Sequence, residues 1–296
     1  MKKSVFLFLA VTSLGVSAQK IVVKEGSQKF TTGSQNALST TIYGSSKDDV
    51  QSKWKSVLKN YKNEKIKSEK NEMFGDNIVI SDFGNNPVDI YTTFEENKKD
   101  KTVEMHVAID LGGAYLTSAE QKEKYAAAEK IVKDFAINTT KDVIGEQVKD
   151  AEKALGKLED DQKDLEKANK NSKDDIANYK DKITKAQTDL VTANAEVVKK
   201  KAEIDIQKKV VDASAGAVNE QAKSSQKIYD KLLDQEKDLQ KDIKNLNSDI
   251  ESYNSKIKNA EDDIKKNESN QDQKKKEIDA QKKVVENYKN LMSKVD

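Results

Sequence analysis

From residue 137 onward the apolar residues recur at alternating steps of three and four, the spacing that keeps one seam of a helix turned toward a partner helix. Ile176, Tyr179, Ile183, Ala186, Leu190, Ala193 and Val197 follow it, and the same phase runs back through Leu165, Leu158, Leu155, Val148 and Ile144 to Ile137. A second series holds Leu232, Leu239, Ile243, Leu246, Ile250, Tyr253, Ile257, Ala260 and Ile264, resuming at Ile278, Val285, Tyr288, Met292 and Val295. Two seams in one chain predict an antiparallel coiled-coil hairpin, outgoing over residues 118–213 and returning over residues 218–296. Counted from Ile137, where the heptads begin, each arm is roughly 75 residues, or about 110 Å at 1.5 Å per residue.

Setting the a positions of one arm against the d positions of the other allows pairs whose numbers total 429 and registers shifted from it by seven, and the position of the tip selects 429. Ile183 then meets Leu246, Ile176 meets Tyr253, Leu165 meets Ile264 and Ile144 meets Val285. The midpoint falls in a tip at residues 214–217, made by Ser214, Ala215 and Gly216, with Gly216 supplying the left-handed backbone of a helix-to-helix turn. Gln162, Asn169 and Ser172 on one arm and Asn267, Gln271 and Lys274 on the other interrupt the seams, so fraying or bending is expected there.

Ahead of the hairpin the pattern is different. Val50, Trp54, Val57, Leu58 and Tyr61 form one stripe of a helix, capped by Ser45 or Ser46 with Asp48 and Asp49 in its first turn. Residues 37–43, 65–72, 77–83, 88–95 and 102–110 read as strands. Val88, Ile90, Thr92 and Phe94 alternate onto one face, as do Val103, Met105, Val107 and Ile109. Residues 74–77, 84–87 and 97–100 read as the turns between them. The fold class is therefore an α+β head over residues 37–117, an antiparallel sheet with a covering helix, joined to a mostly helical hairpin. Thr117 and Ser118 open overlapping capping boxes, which places the long helix's start near Ala119. Its first turns, with Tyr125, Ala128, Val132 and Phe135, are expected to pack on the head, beside the returning C-terminal stretch around Val284 to Met292.

Residues 19–36 read as an N-terminal arm, edge strand or loop. Residues 1–18 have the charged start, apolar core and Val16-Ser17-Ala18 cleavage site of a secretory signal peptide. The expected address is periplasmic or extracellular, as a soluble protein with no transmembrane segment in the mature chain. There is no Cys, hence neither a disulfide nor a lipid anchor on one.

Composition narrows the function further. The chain carries 53 Lys+Arg, every one of them Lys, against 52 Asp+Glu, for a formal net charge of +1. Balanced charge and the lack of Arg exclude a dedicated nucleic-acid binder, which needs a net basic face and usually bidentate guanidinium contacts. The arms are similar in composition to the coiled coils of chromosome-maintenance and DNA-repair ATPases. The likeness stops there, because no GxxxxGK(S/T) phosphate loop exists.

Candidate chemistry is sparse. His106 is the single histidine, and by alternation it lies opposite the Val103–Ile109 face, on the solvated or helix-covered side, as a surface residue. Without Cys no zinc site of the usual N and S ligands can be assembled, and no GxSxG element accompanies His106. The carboxylate pairs Glu95–Glu96, Asp160–Asp161 and Asp262–Asp263 read as solvated faces without EF-hand spacing. The lysine runs 199–201 and 274–276 are interleaved with acids, as on an ordinary wet helix face. No catalytic, cofactor or metal residue is assigned. Tyr43, Tyr91, Tyr115 and His106 remain as a candidate interaction surface, and Trp54 reads as core. The expectation is a non-enzymatic spacer, scaffold or adaptor of the cell envelope with a protein partner there and room to oligomerise through helix faces. The alternative is a head that captures a peptide, glycan or envelope component.

Overall fold

The computed structural model describes residues 20–69, 71–216 and 220–296. The expected signal peptide, Val218 and the last residue of the expected tip lie outside them. The chain is mostly α: a six-stranded antiparallel sheet with a covering helix belongs to one unit, and long paired helices make up the rest. The head unit takes residues 20–157 and 279–296, and the arm unit takes residues 158–278.

In the head, β1 (Lys24–Phe30) and β2 (Gly33–Tyr43) form a hairpin, followed by α1 (Lys47–Lys59). Next come β3 (Lys65–Glu69), β4 (Glu72–Ile78), a 3-10 turn at Ser81–Phe83, β5 (Val88–Asn97) and β6 (Thr102–Asp110). The sheet order is β1-β2-β6-β5-β4-β3. Residues 24–30 are thus an edge strand rather than a loose arm, and β2 begins at Gly33, four residues ahead of the expected strand. The cause is local: Gly33 holds φ +111°, which closes the Thr31-Thr32 turn and lets both flanks pair at once.

Three further strand limits differ from expectation. Of the expected strand 77–83 only the first two residues belong to a strand, and Ser81–Phe83 wind into the 3-10 turn. The stretch 65–72 is split, because Glu69 pairs with Glu72 in a tight hairpin. The expected turn at 74–77 is instead a bulge inside β4, where the register shifts between Gly75 and Ile78 and Asn77 takes φ 51°. The bulge absorbs the Gly-Asp-Asn sequence without ending the strand.

One face of the sheet is the core. Ile42, Met73, Ile90, Phe94, Val103, Met105 and Val107 are buried there, together with Val50, Trp54 and Leu58 of α1. Ser46 caps α1 by accepting the Asp49 N–H at 3.2 Å. The indole N–H of Trp54 donates to Thr92 Oγ1 at 2.9 Å inside this core, and its ring meets Phe135 edge-on at 4.9 Å. Phe135 belongs to α2 (Lys122–Ala213), which also contributes Ala128, Val132 and Ile144. Leu291 of α3 (Glu220–Ser293) and Val295 close the same core, and the Ile21 N–H donates to the Asp296 carbonyl at 2.9 Å. Both chain ends of the described molecule are therefore stitched into the head. The helix α2 starts three residues later than expected. Thr117 Oγ1 does accept the Glu120 N–H, but the reciprocal partner of the Thr117 N–H is Gln121, which holds residues 118–120 as a turn.

In the arm unit the protected positions of both helices repeat strictly by heptads. Leu165, Ile176, Ile183, Leu190 and Leu232, Leu239, Leu246, Tyr253 and Ile264 are half-buried, while Val197 is buried. Ile144 and Val285, at the same phase, are buried within the head. Tyr179 stacks on Tyr253 with centroids 5.9 Å apart, and Gln207 Nε2 donates to the Ser225 carbonyl at 3.0 Å. In the head unit Gln281 Nε2 donates to the Ala151 carbonyl at 2.9 Å. The paired numbers total 432 in all three cases, not 429. That register sets Leu246 level with Ala186 and brings Ile183 within one residue of Ile250, so the expected pairs are off by about one layer.

The tip explains the offset. Ser214 Oγ and N both reach the Val210 carbonyl, and the Ala215 N–H reaches Asp212, so Ser214 and Ala215 still wind with α2. Gly216, at φ +91°, is the residue that leaves the helix. The reversal is thus centred beyond Ser214 and Ala215, which adds about three residues to the sum.

Neither helix breaks at its polar layers; α2 and α3 run through them as continuous helices. Gln162 and Asn169 are buried, at 8% and 9% exposure, and their side-chain oxygens have no partner. Their amide nitrogens donate to Glu166 and Glu268. A buried unsatisfied oxygen costs about 1–3 kcal/mol. Gln162→Leu and Asn169→Leu are each expected to stabilise the arm by about 1–2 kcal/mol, read by urea denaturation under far-UV circular dichroism. A loss of stability in both would show that the polar layers are satisfied in solution.

Candidate functional site

The second face of the head sheet gathers most of the polar and aromatic residues singled out above. Strand alternation puts Tyr91, Thr93 and Glu95 of β5 there beside Glu104, His106 and Ala108 of β6. The β1–β2 hairpin bends over this face. Its turn is tied to β4, which is not its neighbour in the sheet: the Thr31 N–H and hydroxyl donate to the two oxygens of Glu72 at 2.8 and 2.6 Å. Phe30, Ala37 and Ala108 form a small second core under the hairpin, with Tyr91 and Tyr115 packed against it.

Beside that core lies a shallow groove of about 220 Å³ lined by Thr31, Lys67, Glu69, Glu72, Phe74 and Tyr91. Phe74 and Tyr91 pack at 4.9 Å between centroids, Tyr91 and Tyr115 at 6.3 Å, and the Tyr115 hydroxyl lies 3.1 Å from Thr32 Oγ1. Lys67 Nζ stands 5.9 Å from the Phe74 ring. Burial pushes the Tyr91 phenol above its ordinary range, helped by Tyr115, Asp89, Asp110 and Glu72, so it stays protonated at neutral pH and able to donate. Such a groove offers aromatic faces for stacking and charges of both signs at its rim.

The expected surface quartet is only partly brought together. Tyr91, Tyr115 and His106 share the second face. Tyr43 stands apart at the end of β2, half-buried against the main core, with its N–H donating to Thr140 Oγ1 at 3.3 Å. His106 is not a surface residue: it is 4% exposed, between Ser39 of β2 and Thr93 of β5, with Nδ1 2.8 Å from Ser39 Oγ. The expectation failed because alternation tells which face a residue takes but not that β1 and β2 fold over that face.

Two carboxylates stand next to this histidine. Glu95 and Glu104 are directly opposite across β5 and β6, and one oxygen of each lies within 4.8 Å of the other and of a His106 ring nitrogen. The chain matches no protein-family model, and a comparison with curated proteins finds no match. What the face does must therefore be argued from its geometry.

Nothing in the local sequence marks Phe74, Glu104 or Ser39 as a site residue. Phe74 was hidden in an apparent turn. The Glu95–Glu104 pairing was recoverable, because the tight connection pairs Asn97 with Thr102 and fixes every pair below it. Asn97 Oδ1 accepts the N–H groups of Lys99 and Asp100, which sets that connection.

Proposed function

We propose that this is a non-enzymatic spacer or adaptor of the cell envelope, exported by its leader, whose helical arm docks a protein partner. The observation that carries the reading is an apolar strip on the outside of α2 in the arm unit. Val191 and Val198 are each 70% exposed and Ile206 is 66% exposed. With Ala195 and Ala202 they follow at steps of 4, 3, 4 and 4, one continuous stripe separate from the seam that α3 covers. Outer positions of a two-stranded coil are normally charged, so valine and isoleucine there fit a further helix packed from outside. No helix among the described residues is long and apolar enough to cross a membrane, in keeping with an arm that works in water.

The test uses the full chain as bait on envelope extract of the source cell, alongside a Val198→Glu/Ile206→Glu variant. The expected result is a protein retained by the parent and lost by the variant at unchanged helix content. Retention of nothing, or equal retention by both, overturns the adaptor reading.

The groove over Phe74 and Tyr91 favours a second reading, capture of a peptide or glycan by the head. Residues 20–117 alone would lack Phe135, Ile144, Leu291 and Val295 of the head core. The comparison is therefore made in the full chain, where Tyr91→Ala should abolish capture and Val198→Glu should leave it intact.

A further inference from the structure

We propose that Glu95, Glu104 and the Nε2 of His106 form a binding site for one divalent transition-metal ion of the zinc class. The three side chains come from two hydrogen-bonded neighbouring strands, with Glu95 across from Glu104 and His106 two residues along β6 on the same face. One carboxylate oxygen of each glutamate and one ring nitrogen of His106 already lie within 4.8 Å of one another; with Nδ1 engaged by Ser39, Nε2 is the nitrogen left for an ion. A tetrahedral ion with bonds of about 2.0–2.1 Å sets its ligands about 3.4 Å apart. Both glutamates are exposed, so rotation of their side chains closes the difference while the imidazole stays fixed.

His106 is what distinguishes this cluster from an ordinary acidic patch. Its ring is buried, and Nδ1 is engaged by Ser39 Oγ at 2.8 Å. The tautomer in which Nδ1–H donates to Ser39 leaves the Nε2 lone pair free, the form required of a metal-bound imidazole whose second nitrogen is held by an outer partner. Two carboxylates directly opposite in a sheet repel, and a divalent cation between them converts that repulsion into binding. One imidazole with two carboxylates suits zinc, manganese or iron better than calcium or magnesium, which take oxygen ligands alone. Three protein ligands leave a fourth position to water.

The deciding experiment titrates the metal-stripped full chain with zinc chloride by calorimetry while the imidazole C–H signals of the single histidine are followed by NMR. One saturable zinc per chain is expected, with those signals shifting to completion at one equivalent. Glu95→Gln and Glu104→Gln, both at exposed positions, should each weaken binding at least about 10-fold, and Ser39→Ala should weaken it by about 10-fold. Calcium should produce no saturable event. Zinc that binds without moving the histidine signals, or that binds the Glu95→Gln/Glu104→Gln double variant as tightly as the parent, overturns the site. The double variant decides the matter even if His106→Ala fails to fold.

Discussion

Trp54→Ala is expected to cost the head about 3–5 kcal/mol, the range for deleting a fully buried large aromatic side chain. Trp54 is 1% exposed and sits where α1, β5 and α2 converge. Three losses coincide: the apolar area of the indole, the edge-on contact with Phe135, and the hydrogen bond to Thr92, itself fully buried. The last is the most telling, because Thr92 Oγ1 would keep its burial and lose its donor. Against a typical total of about 5–15 kcal/mol the loss leaves little margin. Amide exchange in β5 and β6 should accelerate accordingly, and the urea midpoint of the head should fall. Trp54→Phe separates the contributions: it keeps most of the volume and removes the N–H, and about 1–2 kcal/mol is expected. A Trp54→Ala chain whose β5 and β6 amides exchange as slowly as the parent's would refute this account of the core.

Trp54 is also the position at which the sequence was most informative. Its spacing from Val50, Val57 and Leu58 declares a one-sided helix, and the alternation of Val88 to Phe94 and Val103 to Ile109 declares the surface that receives it. Those signals are local periods, and each survived into the fold. What did not read out were consequences of distance. The Thr31 turn lies across the sheet from Glu72, separated by forty-odd residues, and nothing in either stretch announces the two hydrogen bonds that join them. Because that closure was invisible, His106 looked solvated and its two carboxylate neighbours looked like ordinary surface charge. Within the bulged β4, Gly75 and Asn77 carry the composition of a turn while serving a strand. Gly75 lies so close to Ile78 and Leu58 that a Cβ there would meet Ile78 Cδ1 at 3.1 Å, so packing as well as turn geometry accounts for that glycine.

The register of the long helices shows the same limit in another form. A heptad pattern fixes which residues face inward, and Ala186, Val197 and Ile204 are the buried apolar positions of α2 in the arm unit. It does not fix which residue on the other helix each one meets. A step of three on one helix can face a step of three or a step of four on the other, and both arrangements bury the same seam. The number of residues spent at the tip decides, and Ser214 and Ala215 extend α2 where a tight turn would have used them.

Cysteines at positions 179 and 253 should therefore bridge on oxidation, and cysteines at 176 and 253 should not. The chain contains no native Cys, so each engineered pair is the only thiol couple present. Tyr179 and Tyr253 are in ring contact, and the pair is symmetric in chemistry as well as number: Lys182 and Lys256 each stand 5.5–5.8 Å from both rings. The bridge closes a loop of about 75 residues, and the chain-entropy relation gives about 4.5 kcal/mol of stabilisation as a ceiling, less whatever strain the helices impose. The reference is the reduced form of the same double variant, so the loss of the tyrosine stack cancels from the comparison. The expected outcome is rapid oxidation of Tyr179→Cys/Tyr253→Cys with a higher unfolding midpoint, and slow or intermolecular oxidation of Ile176→Cys/Tyr253→Cys. The reverse ranking would restore the register totalling 429 and shift the layer beneath every seam residue of the arm.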